Sequence, residues 1–251
     1  MTDYNIALDS NNSPYNEGGI GNITLEYLKG AKNYNQWIAN LLLPYLGEHN
    51  LEFGAGIGTL TEIIIKKKNV KIYELSETNR KILQKKFGNH EKVSGINKNI
   101  LDCREKNCFD SIYSSNVLEH VEKDLEIIAH SNNILKKAGF FIAFVPAGKM
   151  LYSECDRKLG HYRRYNGRDK FRIMRYLKEK KLPMKLVSFR YYNPIGALSW
   201  FFKMRLLGYS SISKFDICMM NFFIKYLSFI DTLPMPFGQN ILIVIQKVQW
   251  R

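Results

Sequence analysis

Apolar residues run along this chain in two rhythms. Short apolar bursts at 51–53, 70–75, 92–96, 109–114, 139–145, 185–191 and 241–248 read as strands. Between the earlier bursts, apolar positions recur at helical spacing over 58–67, 77–87, 123–136 and 169–180. Ahead of the first strand, Tyr27, Leu28, Tyr34, Trp37, Ile38, Leu41 and Leu42 share that spacing within 25–46, and Pro44 and Gly47 close the segment. This segment reads as a core helix or as a cover over a ligand, with Tyr34 a candidate acceptor contact. Strand and helix in alternation predict an α/β fold, a Rossmann-like doubly wound sheet whose ligands bind beyond the carboxyl ends of the strands.

The pattern also divides the chain. Residues 1–24 are rich in Asn, Asp, Ser and Gly and read as a flexible arm. Residues 25–192 and 240–251 make up the sheet domain. Residues 193–239 are too long for a hairpin connection, so a helical insertion is expected between strands six and seven. Its helix over 215–230 is apolar except for a narrow stripe of Asn221, Lys225 and Ser228. Such a helix is more often core than membrane-facing, but Lys203, Arg205 and Lys214 flank it and keep an interfacial role open.

Composition narrows the setting. Of 251 residues, 45% are hydrophobic, enough for a sizeable core. Cys103, Cys108, Cys155 and Cys218 have neither metal spacing nor a disulfide framework, which predicts reduced thiols and a cytoplasmic protein. The first residues are polar, so no signal peptide is expected, and no apolar run reaches the ~20 residues of a membrane span. The net charge of +14 is uneven: residues 1–147 hold 17 basic and 17 acidic side chains, residues 148–251 hold 20 and 6. A basic field confined to one part suits an anionic partner there. Within it, Gly160-His161-Tyr162-Arg163-Arg164-Tyr165-Asn166 packs base and aromatic together.

The candidate chemistry begins at Leu51-Glu52-Phe53-Gly54-Ala55-Gly56-Ile57-Gly58-Thr59-Leu60. Glycines directly after a strand let the backbone turn sharply and aim amide N–H groups at a ligand. The G-x-G-x-G spacing differs from the G-x-G-x-x-G of dinucleotide binders, which argues against an NAD-dependent oxidoreductase.

The order of motifs resembles class I S-adenosylmethionine-dependent methyltransferases. The likeness rests on Glu52 to Gly58, Glu74 ending strand two, Phe109-Asp110-Ser111-Ile112, Asn116-Val117-Leu118-Glu119-His120-Val121 and Leu135-Lys136-Lys137-Ala138-Gly139. Val145-Pro146-Ala147, Gly160–Tyr165 and Tyr192-Asn193-Pro194-Ile195-Gly196 are similar to a bacterial branch (type 11/12/23-like) found with glycan or lipid-linked sugar genes. The resemblance implies a seven-stranded sheet with an antiparallel last strand. It also implies S-adenosylmethionine as cofactor, S-adenosylhomocysteine as product and no metal. Glu52, Gly54, Ala55, Gly56 and Gly58 would hold the amino-acid end of the cofactor, and Glu74 and Leu75 would lie at its ribose. Asn99 and Ile100 would contact adenine, where the family often has Asp, and Asn116 would line the methyl site.

A hydroxyl acceptor needs a base, and His120 and His161 are the candidates, each with the rival reading of a structural histidine. Arg163 and Arg164, with Tyr165 beside them, could clamp an acidic acceptor. The expected reaction is methyl transfer, at oxygen first, to a small-molecule, glycan or lipid-linked acceptor, anionic by the charge argument. Peripheral association with the inner face of a membrane fits the insertion, and the sequence does not fix an oligomeric state. An RNA adenine N-methyltransferase is the main rival. Its Asn/Asp-Pro-Pro-aromatic motif is absent, since Ser115-Asn116-Val117-Leu118 stands there, and nucleic acid is not the expected partner. A non-catalytic cofactor-fold module at a membrane surface is the rival from another class.

Overall fold

The computed structural model describes Tyr15 and residues 19–248. Seven strands form one sheet: β1 (His49–Phe53), β2 (Asn69–Tyr73), β3 (Val93–Asn97), β4 (Phe109–Ser115), β5 (Leu135–Pro146), β6 (Met184–Tyr192) and β7 (Asn240–Lys247). Their order is β3-β2-β1-β4-β5-β7-β6. The first five run parallel to their neighbours, and β7 lies antiparallel between β5 and β6. The doubly wound fold with a reversed last strand is therefore as expected.

The helices are α1 (Ile20–Lys29), α2 (Lys32–Leu42), α3 (Thr61–Ile64), α4 (Glu77–Phe87), α5 (Asp124–Ile134), α6 (Glu154–Lys158), α7 (Gly167–Glu179), α8 (Pro194–Trp200) and α9 (Lys214–Leu227). A π-helical turn, Phe201–Leu206, continues α8. The central strands are buried on both sides, as parallel strands covered by helices must be. On one face Leu51, Ile112, Phe141 and Ile243 pack with Ile127 of α5 and Ile173 of α7. On the other, Ile72, Tyr113, Phe144 and Leu242 meet Ile38 of α2, Leu83 of α4 and Ile217 of α9. Consecutive residues such as Ile112 and Tyr113 thus serve opposite cores, which is the period of two of a strand.

Three boundaries differ from the sequence reading. The arm expected over 1–24 lies largely outside the described residues, and its end, from Ile20, is already helical. The single segment over 25–46 is two helices, broken at Gly30 and Ala31, where Leu28 O accepts from both Ala31 N at 2.9 Å and the Asn35 side-chain amide at 2.7 Å. The helix expected over 58–67 shrinks to Thr61–Ile64. Its β-branched run Ile63-Ile64-Ile65 and the lysines after it give little intrinsic support for more turns.

The insertion leaves the sheet at Asn193 and returns at Gln239. Asn193 has a left-handed backbone (φ 58°) and its side chain accepts from Gly196 N at 2.9 Å, so it caps α8. Gln239 N donates to Asn193 O at 3.1 Å and the Asn193 amide donates to Gln239 Oε1 at 3.0 Å. These bonds join the two ends of the insertion.

Candidate active site

A cavity of ≈ 880 Å³ lies beyond the carboxyl ends of β1, β2 and β4, with α1, α2, α8 and α9 around it. Its volume suits a drug-sized ligand. It has three parts: a glycine-loop end, a cluster of histidine and carboxylate, and an apolar mouth.

At the first end, Gly54, Ala55 and Gly56 line the cavity. Gly54 has φ +69°, and a Cβ there would lie 2.4 Å from Val117 Cγ2, so the loop needs a glycine both for its conformation and for space. Gly58 differs from its expected role. It does not line the cavity; it abuts Phe87 and Leu83 of α4, where a Cβ would meet Phe87 Cε2 at 2.5 Å. Its alternation with Gly54 and Gly56 reflects close packing of the loop on α4.

Two buried carboxylates back this loop. Glu74 stands just past β2 as predicted, but its oxygens face backbone: Oε2 accepts from Gly56 N at 2.8 Å and Oε1 from Ser76 N at 2.9 Å. Arg80 donates to the carbonyls of Glu74 and Leu75, fixing the turn from outside, and Leu75 reaches the cavity. Burial raises the Glu74 pKa against the pull of those amides. Glu52 accepts from Thr61 Oγ1 at 2.7 Å and Tyr113 Oη at 3.1 Å, and burial still pushes its pKa up to about 7. Two buried acids beside a glycine loop, without a paired lysine or arginine side chain on either, fit a ligand that carries positive charge and hydroxyls.

The adenine-side expectations shift in detail. Asn99 and Ile100 do line the cavity, but Asn99 Oδ1 accepts from Leu101 N at 3.0 Å and caps the short 3-10 turn Ile100–Asp102. Asn116 sits at φ 54°, its N donating to Phe144 O at 2.8 Å, and it lies on the cavity wall after β4.

The second part joins two distant segments. Glu119 and His120 follow β4 in a 3-10 turn (Leu118–His120), and His161 follows α6. The structure brings both predicted histidines together on the cavity wall, with ring centres 4.6 Å apart and edge to face. His120 Nε2 lies 3.0 Å from Tyr15 Oη, and burial lowers its pKa to about 3, so the imidazole is neutral. His161 Nδ1 lies 2.8 Å from Asp156 Oδ1, and its Nε2 lies 4.0 Å from Glu119 Oε1. Glu119 is fully buried, neither of its oxygens has a hydrogen-bond partner, and burial pushes its pKa up to about 7. Asp156 is also buried, yet His161 and Arg164 hold its pKa below the ordinary range.

The basic-aromatic loop is less available than its sequence suggests. Arg164 lines the cavity, but its Nε donates to Asp156 Oδ1 at 2.8 Å, its Nη1 to Ala147 O at 3.2 Å, and its guanidinium stacks on Trp200 at 4.5 Å. Arg163 and Tyr165 lie away from the cavity, a correction to their expected role as acceptor contacts. Arg163 pairs with Asp124 at 2.9 Å and donates to Glu122 O, and the buried Tyr165 hydroxyl donates to Asp124 at 2.7 Å. Arg172 of α7 completes this hub with an ion pair to Asp124 at 2.6 Å. A buried carboxylate at the start of α5 needs these donors, which take both residues out of acceptor binding. Tyr34 does face the cavity, from α2, with its ring against Trp37.

Sequence reasoning passed over Glu119, Asp156, Tyr15 and Trp200. Two of them carried a signal, since Glu119 precedes His120 and Asp156 stands five residues before His161. The third part of the cavity, its mouth, is made by Phe215, Met219 and Phe223 of α9, which line the cavity and are also exposed, Phe215 at 71%. Phe222 and Tyr226 of α9 are exposed beside Phe223, and Phe202 and Leu206 of the π-helical turn are exposed as well.

Comparison with known proteins bears on the sheet domain and its fold. Residues 51–143 match the family described as Methyltransferase domain. Comparison with curated proteins gives no match. Among solved structures, the chain is similar in fold to geranyl diphosphate C-methyltransferase from Streptomyces coelicolor A3(2) in complex with Mg2+, geranyl-S-thiolodiphosphate and S-adenosyl-L-homocysteine. That match has 12% identity and a TM-score of 0.58, covering 84% of this chain and 75% of that one. It is also similar to the YcgJ protein of Bacillus subtilis, with 14% identity, a TM-score of 0.54, and coverage of 86% and 99%.

Proposed function

We propose that this chain is a class I S-adenosylmethionine-dependent methyltransferase that methylates an oxygen of an amphipathic, lipid-linked acceptor entering through the apolar mouth on α9. The observation that carries this reading is the double role of Phe215, Met219 and Phe223, which line the cavity and are exposed at its rim. A water-soluble glycan gains nothing from such a rim, whereas an acyl or prenyl chain buries it. The exposed Lys214 and Lys225 of α9 add charge that draws an anionic headgroup or membrane surface, whereas Lys203 is paired with Asp216. No helix among the described residues is long and apolar enough to cross a membrane, so the contact would be peripheral. A fold neighbour crystallised with an isoprenoid diphosphate analogue is compatible with an acceptor of this type, though that enzyme methylates carbon.

The cofactor end fits the same reading. Gly54 to Gly56 and the paired acids Glu52 and Glu74 would hold S-adenosylmethionine, which when bound supplies an electrophilic methyl on a sulfonium. Alignment of acceptor and methyl by the cavity walls would give much of the rate. The hydroxyl proton must leave, and the cluster of Glu119, His120 and His161 is where this chain can receive it. Asp156 holds the Nδ1 proton of His161, which leaves the Nε2 lone pair facing the cavity. Arg164, already paired with Asp156, would act as a wall of the acceptor site.

The experiment is transfer of labelled methyl from S-adenosylmethionine to cell extract separated into lipid, neutral glycan and RNA fractions. Label in the lipid fraction supports the reading. Label confined to soluble glycan or to RNA overturns it.

A further inference from the structure

The cluster beside the acceptor cavity has an unexplained feature. Glu119 is fully buried and both its carboxylate oxygens lack a hydrogen-bond partner. Nδ1 of His120, in the same cluster, is also buried and makes no well-formed hydrogen bond, with the Gly160 backbone beside the ring. Arg164 is near but is committed to Asp156, Ala147 O and the Trp200 ring. A buried carboxylate with no side-chain donor is disfavoured as an anion, and either a proton or a bound cation neutralises it.

We propose that Glu119, His120 and His161 form a binding site for a divalent transition-metal cation, of the Mn2+, Co2+ or Zn2+ class. One ligand atom from each of the three lies within 4.8 Å of the others. Metal–ligand bonds of ~2.1 Å put neighbouring ligand atoms of one ion roughly 3.0–3.4 Å apart, so about 1.5 Å of side-chain movement closes the cluster on an ion. Two imidazoles with one carboxylate form a mixed nitrogen–oxygen set, which suits these metals better than Mg2+ or Ca2+, whose preference is for oxygen. Three protein ligands leave open positions for water or substrate, as a site for chemistry requires.

The surroundings are those of a metal site. His161 Nδ1 is 2.8 Å from the carboxylate of Asp156, which itself accepts from Arg164 Nε and from Ser153 N and Oγ. That partner fixes the tautomer with the proton on Nδ1 and turns the Nε2 lone pair toward Glu119. Trp200 stacks on Arg164 and is held by an Nε1 bond to Leu151 O at 3.0 Å, so the outer shell is rigid. His120 Nε2 shares a contact with the Tyr15 hydroxyl, which an ion at Nε2 displaces and an ion at Nδ1 leaves in place.

The role of the ion rests on the function proposed above; its binding does not. In that role Glu119, His120 and His161 would hold the cation instead of receiving the proton, and the ion would supply Lewis acidity that lowers the pKa of the acceptor hydroxyl. The O–H bond would break with its electrons left on oxygen and the proton released to solvent, and the oxygen would form its bond to the methyl as the methyl–sulfur bond breaks and S-adenosylhomocysteine leaves.

The test uses the whole chain, stripped with a chelator and titrated with Co2+, Mn2+ and Zn2+ by calorimetry, with visible d–d absorption read for Co2+. The expected result is one equivalent bound and a Co2+ spectrum of low-symmetry nitrogen–oxygen coordination. Glu119→Gln and His161→Ala should weaken binding by at least roughly 100-fold, and Asp156→Asn by about 10–100-fold. Thermal melts and S-adenosylmethionine titration of each variant show that it is folded. Absence of binding in the wild-type chain, or full binding in folded Glu119→Gln and His161→Ala, overturns the site. Metal binding without methylation of lipid leaves the site standing and sinks the acceptor reading. Undiminished lipid methylation by the metal-free chain does the opposite for the ion's role.

Discussion

The Nδ1 atom of His161 lies 2.8 Å from Oδ1 of Asp156, and the same oxygen accepts from Arg164 Nε at 2.8 Å. One carboxylate therefore orients the imidazole that faces the cavity and anchors the arginine that walls it. Asp156→Asn should release the tautomer preference of His161 and lower methyl transfer by roughly 100-fold or more, with little change in cofactor affinity. Imidazole 15N shifts are the discriminating measurement. A variant that loses rate while His161 keeps its Nδ1–H tautomer would show that Asp156 only stabilises the fold.

Glu74 links the glycine loop to the turn after β2 through Gly56 N and Ser76 N. Glu74→Ala removes both acceptors and leaves two amides without their bonds, so cofactor affinity should fall by about 1–3 kcal/mol, or roughly 5- to 150-fold. Calorimetric titration with S-adenosylmethionine checks this, and wild-type affinity in the variant would remove Glu74 from the site.

Glu52 gives a stability prediction with a definite sign. Its pKa is raised from 4.5 to about 7 by burial, so the favourable contribution of its neutral form is complete below pH 4.5 and is lost as pH rises through 7. Glu52→Gln keeps an oxygen for the Thr61 and Tyr113 hydroxyls and cannot ionise. Relative to wild type, the variant should be ~3 kcal/mol more stable at pH 8.5 than at pH 4. Denaturant unfolding of both proteins at the two pH values measures the difference, and a pH-independent gap contradicts the assignment.

Gly54→Ala places a methyl 2.4 Å from Val117 Cγ2 at a backbone φ of +69°. Stability should drop by about 1–3 kcal/mol from strain alone. Because Val117 also lines the cavity, cofactor affinity should drop with it. An unchanged melting temperature would mean that the loop relaxes freely.

Phe222 is 56% exposed on α9 and lies outside the cavity. Phe222→Glu should therefore reduce partition onto anionic vesicles by roughly 10-fold or more, while S-adenosylmethionine still binds. Sedimentation with vesicles of mixed neutral and acidic lipid provides the comparison, and equal partition of both proteins argues against α9 as the lipid-facing surface.

The sequence reading succeeded where signals are local. Strand alternation, the glycine loop and an acid at the end of β2 all lie within short windows, and each stands where it was expected. It failed where a residue's role depends on a distant partner. Arg163 and Tyr165 look like an acceptor clamp until Asp124, about forty residues away in sequence, appears against both. The pairing of His120 with His161 is equally non-local, because it requires β4 and the chain after α6 to end on one wall. Glu119 was hidden because its significance lies in the partners it lacks, which no sequence pattern records.

The closed neck at Asn193 and Gln239 bears on how such a protein diversifies. Because the insertion leaves and rejoins the sheet at adjacent points of an antiparallel pair, both its ends form one joint, while its body also packs on α2 through Ile217 and Asn221 and on Arg164 through Trp200. The glycine loop and its two acids lie on β1, β2 and their loops, and none of them passes through that joint. Lineages sharing this sheet could therefore take up new acceptors by changing the insertion together with the α2 face it rests on, while the joint and the glycine loop stay as they are.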